Sequence, residues 1–69
     1  MIIFITGISS GFGFETARLL ALEGHVVYGT ARREVQPIPN VNYLKIDVRD
    51  RDAVMDAVAK IIEKEGRID

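Results

Sequence analysis

The chain has 69 residues, 48% of them hydrophobic and 28% charged, which bounds it to one small globular domain and excludes a disordered composition. Nine Lys/Arg against ten Asp/Glu leave a net charge of -1, which argues against a dedicated nucleic-acid surface or a surface for anionic membranes. The lack of cysteine excludes disulfides, thiolate metal sites and Cys nucleophiles, and a single histidine excludes a multi-histidine metal cage.

Met1 to Ile5 is almost wholly apolar and β-branched, the pattern of a strand buried on both faces. It is too short to span a membrane and has no basic flank like that of a signal peptide, so the expected location is cytoplasmic. Thr6 to Gly13 is dense in Gly and Ser and reads as a turn. From Phe12 to Glu23 the pattern is helical: Ala17, Leu20 and Ala21 share one face, and Glu15, Arg18 and Glu23 can reach solvent. Gly24 stands where a left-handed residue closes a helix. His25 to Thr30 is a second β-rich run. The prolines at 37 and 39 leave no room for a helix between Ala31 and Asn40, so that stretch reads as a loop. Val41 to Ile46 reads as a third strand. Asp50 can cap a last helix in which Val54, Ala57, Val58 and Ile61 recur at helical spacing, and Gly66 ends it.

The order β-α-β-loop-β-α implies an α/β fold: a parallel sheet with right-handed crossovers, the first part of a doubly wound, Rossmann-type nucleotide-binding unit. Its glycine-rich turn reads T-G-x-x-x-G-x-G from Thr6 through Gly13, not G-x-G-x-x-G, since Thr16 stands where the third glycine would be. Gly7 permits a tight exit from the strand, Gly11 lets backbone approach a pyrophosphate, and Gly13 allows the helix to pack closely on the strand. The helix N-terminus offers free N–H groups to phosphates, and Ser9 and Ser10 add hydroxyl donors. Phe12 is expected beside this turn.

With that motif in place, the chain resembles the short-chain dehydrogenase/reductase family. The likeness continues through Glu23-Gly24-His25-Val26-Val27, through Leu44-Lys45-Ile46-Asp47-Val48 and through Gly66-Arg67-Ile68-Asp69, and only the loop around Pro37 departs from it. In dinucleotide folds a carboxylate at the end of the second strand binds the adenosine ribose. Here that place reads Thr30-Ala31, followed by Arg32-Arg33, two guanidinium groups suited to a 2'-phosphate; this favours NADP(H) over NAD(H). The resemblance further assigns the Asp47 carboxylate to the adenine amino group and the Val48 backbone to the same ring. Asp47 could equally order the loop before the helix cap, and the two roles are compatible.

The catalytic groups that the resemblance implies, a serine and a Tyr-x-x-x-Lys pair, do not occur: Tyr28 is followed four residues later by Arg32, and Tyr43 by Asp47. No catalytic residue and no metal ligand is therefore assigned. The expectation is the N-terminal part of an NADP(H)-dependent oxidoreductase, stopping before a fourth strand and without turnover by itself. The alternative is a self-associating nucleotide-binding or structural module. A fourth strand would normally lie beside the first, so Met1 to Ile5 is expected to form an apolar edge able to pair with a second chain.

Overall fold

A computed structural model describes residues 1–9 and 11–69. Strand β1 spans Ile2–Thr6, helix α1 Gly11–Leu22, strand β2 Val26–Ala31, strand β3 Val41–Lys45 and helix α2 Arg51–Glu65. The three strands form one parallel sheet in the order β1-β2-β3, so the α/β reading holds. Element ends differ from the sequence expectation by one residue. The second strand runs on to Ala31, which pairs with Lys45, and the third stops at Lys45.

Register decides which side chains meet. Ile3 pairs with Val27 and Val27 with Val41, whereas Phe4 pairs with Tyr28 and Tyr28 with Asn42. Side chains alternate across a sheet, so Val27, Gly29 and Ala31 share one face and Tyr28 and Thr30 the other. On the first face Val27 and Ala31 pack with Ala17 and Ala21 of α1 and with Ile8 and Ile38. The small alanines let the helix lie close to the sheet. Ile38, from the proline-containing loop, is 7% exposed and fills core space at the edge of that face. This is how the connection between β2 and β3 does without a helix: a loop of fixed backbone delivers one apolar side chain, with Val35 packed beside it.

On the second face the Tyr28 hydroxyl donates a 2.6 Å hydrogen bond to Glu65 Oε2 in the last turn of α2. The two helices therefore cover opposite faces of the sheet, as a doubly wound unit requires. Both helices end on glycine. After α1, Gly24 adopts φ 92°, its N–H bonds Ala21 O and the His25 N–H bonds Leu20 O, a paired closure that satisfies two free carbonyls. Asp50 caps α2 by accepting the Ala53 N–H at 3.1 Å, and Gly66 closes it with φ 90°.

The centre of the sheet depends on an interlock that the sequence pattern does not display. Ile8, just past β1, is completely buried, and its side chain lies over Gly29. A Cβ on Gly29 would come within 2.6 and 2.7 Å of the Ile8 Cδ1 and Cγ2 atoms. Gly29→Ala is therefore expected to cost about 1–3 kcal/mol by overpacking. Ile8→Ala in the same chain should make the pair less destabilised than the sum of the single changes. Urea unfolding of the two single variants and the double variant checks both statements.

Candidate functional site

The glycine turn, the end of β2 and the segment after β3 meet at the carboxyl end of the sheet. Two backbone hydrogen bonds bring them there. The Ile8 N–H donates to Thr30 O at 2.9 Å, and the Ile46 N–H donates to Ala31 O at 3.0 Å. Between them lies a cleft of about 530 Å³, the size of a small-molecule site. Gly7 and Ser9 line it from the turn, Thr30, Ala31, Arg32 and Arg33 from β2 and its exit, and Ile46 and Val48 from beyond β3.

The glycines differ in what they do. Gly7 and Gly11 have φ 74° and φ 64°, the left-handed region that disfavours other residues, and a Cβ on either would meet nothing within 4 Å. Gly13 is a packing position: a Cβ there would overlap the Gly7 carbonyl oxygen and lie 2.9 Å from the Gly7 carbonyl carbon. The helix thus starts directly behind the turn. The first turn of α1 carries no carboxylate, whereas that of α2 carries Asp52 behind the Asp50 cap.

Of the residues singled out in the sequence, Gly7, Ser9, Arg32, Arg33 and Val48 face one cleft. Phe12 does not line it. It is 94% exposed and borders a second, shallower hollow with Ser9, Gly11, Phe14 and Glu15. Ser10 lies outside the described residues. Arg32 and Arg33 are exposed, and neither guanidinium has an ion-pair or hydrogen-bond partner among the described residues. Ala31, just before them, is 4% exposed and presents only a methyl group.

Asp47 stands between Ile46 and Val48 and is held by Arg49. Oδ1 accepts the Arg49 backbone N–H at 2.9 Å and Nε at 3.1 Å. Oδ2 accepts Nε at 3.2 Å and Nη2 at 2.8 Å. The Arg49 guanidinium, then its N–H, pull the Asp47 carboxyl down from 3.8 to about 2, with Arg32 adding a smaller attraction.

Thr30 and Ile46 are cleft residues that the sequence reading missed, and so is the hold of Arg49 on Asp47. Thr30 is fully buried, and its hydroxyl is without a hydrogen-bond partner among the described residues. A buried orphan of this kind costs roughly 1–3 kcal/mol. The only sequence signal for Arg49 is its place two residues after an Asp, the spacing at which an Asp side chain bonds the backbone N–H.

A family model described as short chain dehydrogenase matches residues 1–69. The chain belongs to the short-chain dehydrogenase family. It is 48% identical over 68 residues to a 3-ketodihydrosphingosine reductase of Bacteroides thetaiotaomicron, covering 99% of this chain and 25% of that protein. Against a 3-oxoacyl-[acyl-carrier-protein] reductase FabG of Thermotoga maritima the identity is 35% over 75 residues, covering 94% of this chain and 30% of that protein. A probable NADP-dependent dehydrogenase of Dichelobacter nodosus is 37% identical over 82 residues, with 100% of this chain and 72% of that protein covered. The chain thus spans about a quarter of the length of the Bacteroides reductase. Short-chain dehydrogenases use NAD(P) cofactors, and the cleft fits such a group: the left-handed Gly7, the two guanidinium groups of Arg32 and Arg33 and the Thr30 hydroxyl line it, the last three without partners among the described residues. No helix among the described residues is long and apolar enough to cross a membrane.

The pH dependence of stability follows from Asp47. Its folded pKa lies below the unfolded value, so its contribution is present above about pH 4 and is lost as pH falls through about 2. The Asp69 carboxyl is lowered in the same direction, chiefly by the Ile2 backbone N–H. Urea midpoints should fall over that window, and Asp47→Asn should flatten the fall.

Proposed function

We propose that this chain holds the adenosine half of NADP(H), as the N-terminal part of the dinucleotide-binding unit of a short-chain oxidoreductase. The observation that carries the reading is the pair Arg32 and Arg33, exposed and without side-chain partners among the described residues, lining the cleft directly after a methyl side chain. A ribose 2'-hydroxyl needs an acceptor at that point, and Ala31 offers none; a 2'-phosphate needs donors in a fork, and two guanidinium groups supply them. The turn at Gly7, Ser9, Ser10, Gly11 and Gly13, with the α1 N-terminus behind it, takes the pyrophosphate, and Phe12 stands at its rim. Asp47 and Val48 take the adenine. The name of the Dichelobacter relative, a probable NADP-dependent dehydrogenase, supports the same cofactor.

The bound cofactor supplies hydride chemistry in this family; what these residues do is bind and orient its adenosine end. The chain by itself is without dehydrogenase turnover. Both of its phenols are already engaged: Tyr28 donates to Glu65 at 2.6 Å and Tyr43 donates to Arg33 O at 2.8 Å. The hydrogen bond to Glu65, then burial, push the Tyr28 phenol above its ordinary value, the wrong direction for a proton donor-acceptor near neutral pH.

Calorimetric titration should give tighter binding of NADPH than of NADH by about 1 kcal/mol or more, the worth of charge-assisted hydrogen bonds. Replacing Arg32 and Arg33 by alanine should abolish the difference. Equal affinity for the two cofactors in the parent chain would refute the 2'-phosphate assignment.

A second reading is favoured by the edge of the sheet: β1 pairs with β2 alone among the described strands. In this reading two chains associate through their β1 edges. Sedimentation equilibrium should then give a mass that rises with concentration, and a monomer mass at all concentrations would sink it.

A further inference from the structure

We propose that Tyr43 is a positioning residue for the arginine pair: its hydroxyl holds the Arg33 carbonyl and so fixes the exit of β2 in the shape that presents the guanidinium to a 2'-phosphate. The inference rests on the 2'-phosphate reading above and adds to it a residue of β3 that does not itself line the cleft.

The exit of β2 is held at few points. The Ile46 N–H donates to Ala31 O at 3.0 Å, and farther along the loop the Val41 N–H donates to Ile38 O at 3.1 Å. Between these two, the only hydrogen bond to the backbone of residues 32–37 among the described residues comes from the Tyr43 hydroxyl. It donates to Arg33 O at 2.8 Å. Glu34 and Lys45 approach to 3.7 Å on the outside of the loop, an exposed pair of the kind that adds little. The stretch that carries both arginines is thus tied by one phenol.

Tyr43 is well placed to bear that tie. It pairs with Gly29 in the sheet, and its ring packs against the buried cluster that holds Ala31 and Ile38. The ring is therefore anchored, and it sets the hydroxyl at a fixed reach. Burial, then the Glu34 carboxylate, raise the phenol above its ordinary value, so it stays protonated and a donor at neutral pH. A phenylalanine would fill the same core space; what the hydroxyl adds is its bond to a residue of the cleft. With that carbonyl held, the planar peptide after Arg33 cannot turn, and the direction in which the Arg33 side chain leaves the backbone is set. Its guanidinium has no partner among the described residues, so nothing else orients it. A stem set in advance has less freedom to lose when an anion binds.

The test is equilibrium titration of the chain and of its variants with NADPH and with NADH, each variant first shown to be folded by a cooperative urea transition. The parent should prefer NADPH about fivefold or more. Tyr43→Phe should lower that preference about threefold through weaker NADPH binding, with NADH affinity kept within about twofold. In an Arg33→Ala chain, with Arg32 still in place, removing the Tyr43 hydroxyl should change the ratio no further, since the two residues act as one. Tyr28→Phe removes a phenol hydrogen bond on the other face of the sheet and should leave the ratio at the parent value, which separates positioning from general loosening. An unchanged or higher ratio in Tyr43→Phe, or an equal loss of affinity for both cofactors, would overturn the proposal and leave the 2'-phosphate reading standing. A further drop in the Arg33→Ala chain, or as large a drop in Tyr28→Phe, would do the same. A parent that binds the two cofactors equally, or binds neither, would overturn both.

Discussion

The interlock of Ile8 with Gly29 is the constraint on which the rest of the structure depends. Ile8 is the first large side chain after the strand, and it has to turn back under the sheet for the glycine turn to sit over the strand ends. It can do so only because β2 has no side chain at position 29. Once Ile8 is seated, its N–H reaches Thr30 O and the turn is fixed beside the exit of β2. Gly13 then lets α1 begin against the Gly7 carbonyl. A close-packed interior transmits such a fit without slack. The place at which α1 starts is therefore set by packing.

Charge is arranged locally although the chain as a whole is close to neutral, at -1. Around the cleft, Arg49 neutralises the carboxylate of Asp47, while Arg32 and Arg33 remain without acidic partners among the described residues. Glu34, next to Arg33, pairs with Lys45 instead, and other acids lie at Asp52 and Asp56 on α2 and at Glu15 and Glu23 on or near α1. Two arginines without acidic partners among the described residues thus line a cleft on a protein whose net charge gives no hint of them. Net charge speaks to long-range attraction, and only short-range placement speaks to a binding site.

The two faces of the sheet are covered unequally. The α1 face has a continuous core of small and branched residues, completed by Ile38 from the loop. The α2 face is fastened by Tyr28 to Glu65 and by the buried Ala57 and Ile61, while Met55 and Ile62 stay exposed. The open side of β1 is not wholly bare, which corrects the expectation of an unguarded edge. Ile2 N–H donates to the Asp69 carboxylate at 2.7 Å, and the Asp69 N–H donates to Ile2 O at 2.8 Å. The residue after Ile68 thus already lies alongside the start of the strand.

The sequence by itself determined the element order, the parallel sheet, the helix ends at Gly24 and Gly66, the Asp50 cap and the glycine turn, because each follows from a local rule. Alternation and 3.6-residue periodicity are written in neighbouring residues, and a left-handed closure needs glycine wherever it falls. The family was legible for the same reason, since its motif is a turn with a strand before it and a helix after. Only the tertiary structure decided that Ile8 fills the place of a side chain at Gly29, that Ile38 replaces a helix, that Thr30 is buried with its hydroxyl unpaired among the described residues and that Phe12 stands apart from the main cleft. Each of these depends on contacts between segments about 20 or more residues apart, or on which way a side chain leaves a turn. Asp47 shows the boundary most clearly. The family resemblance pointed to a ligand role and its residue type to ordering the loop, but the guanidinium that holds both its oxygens became visible only when the turn was closed.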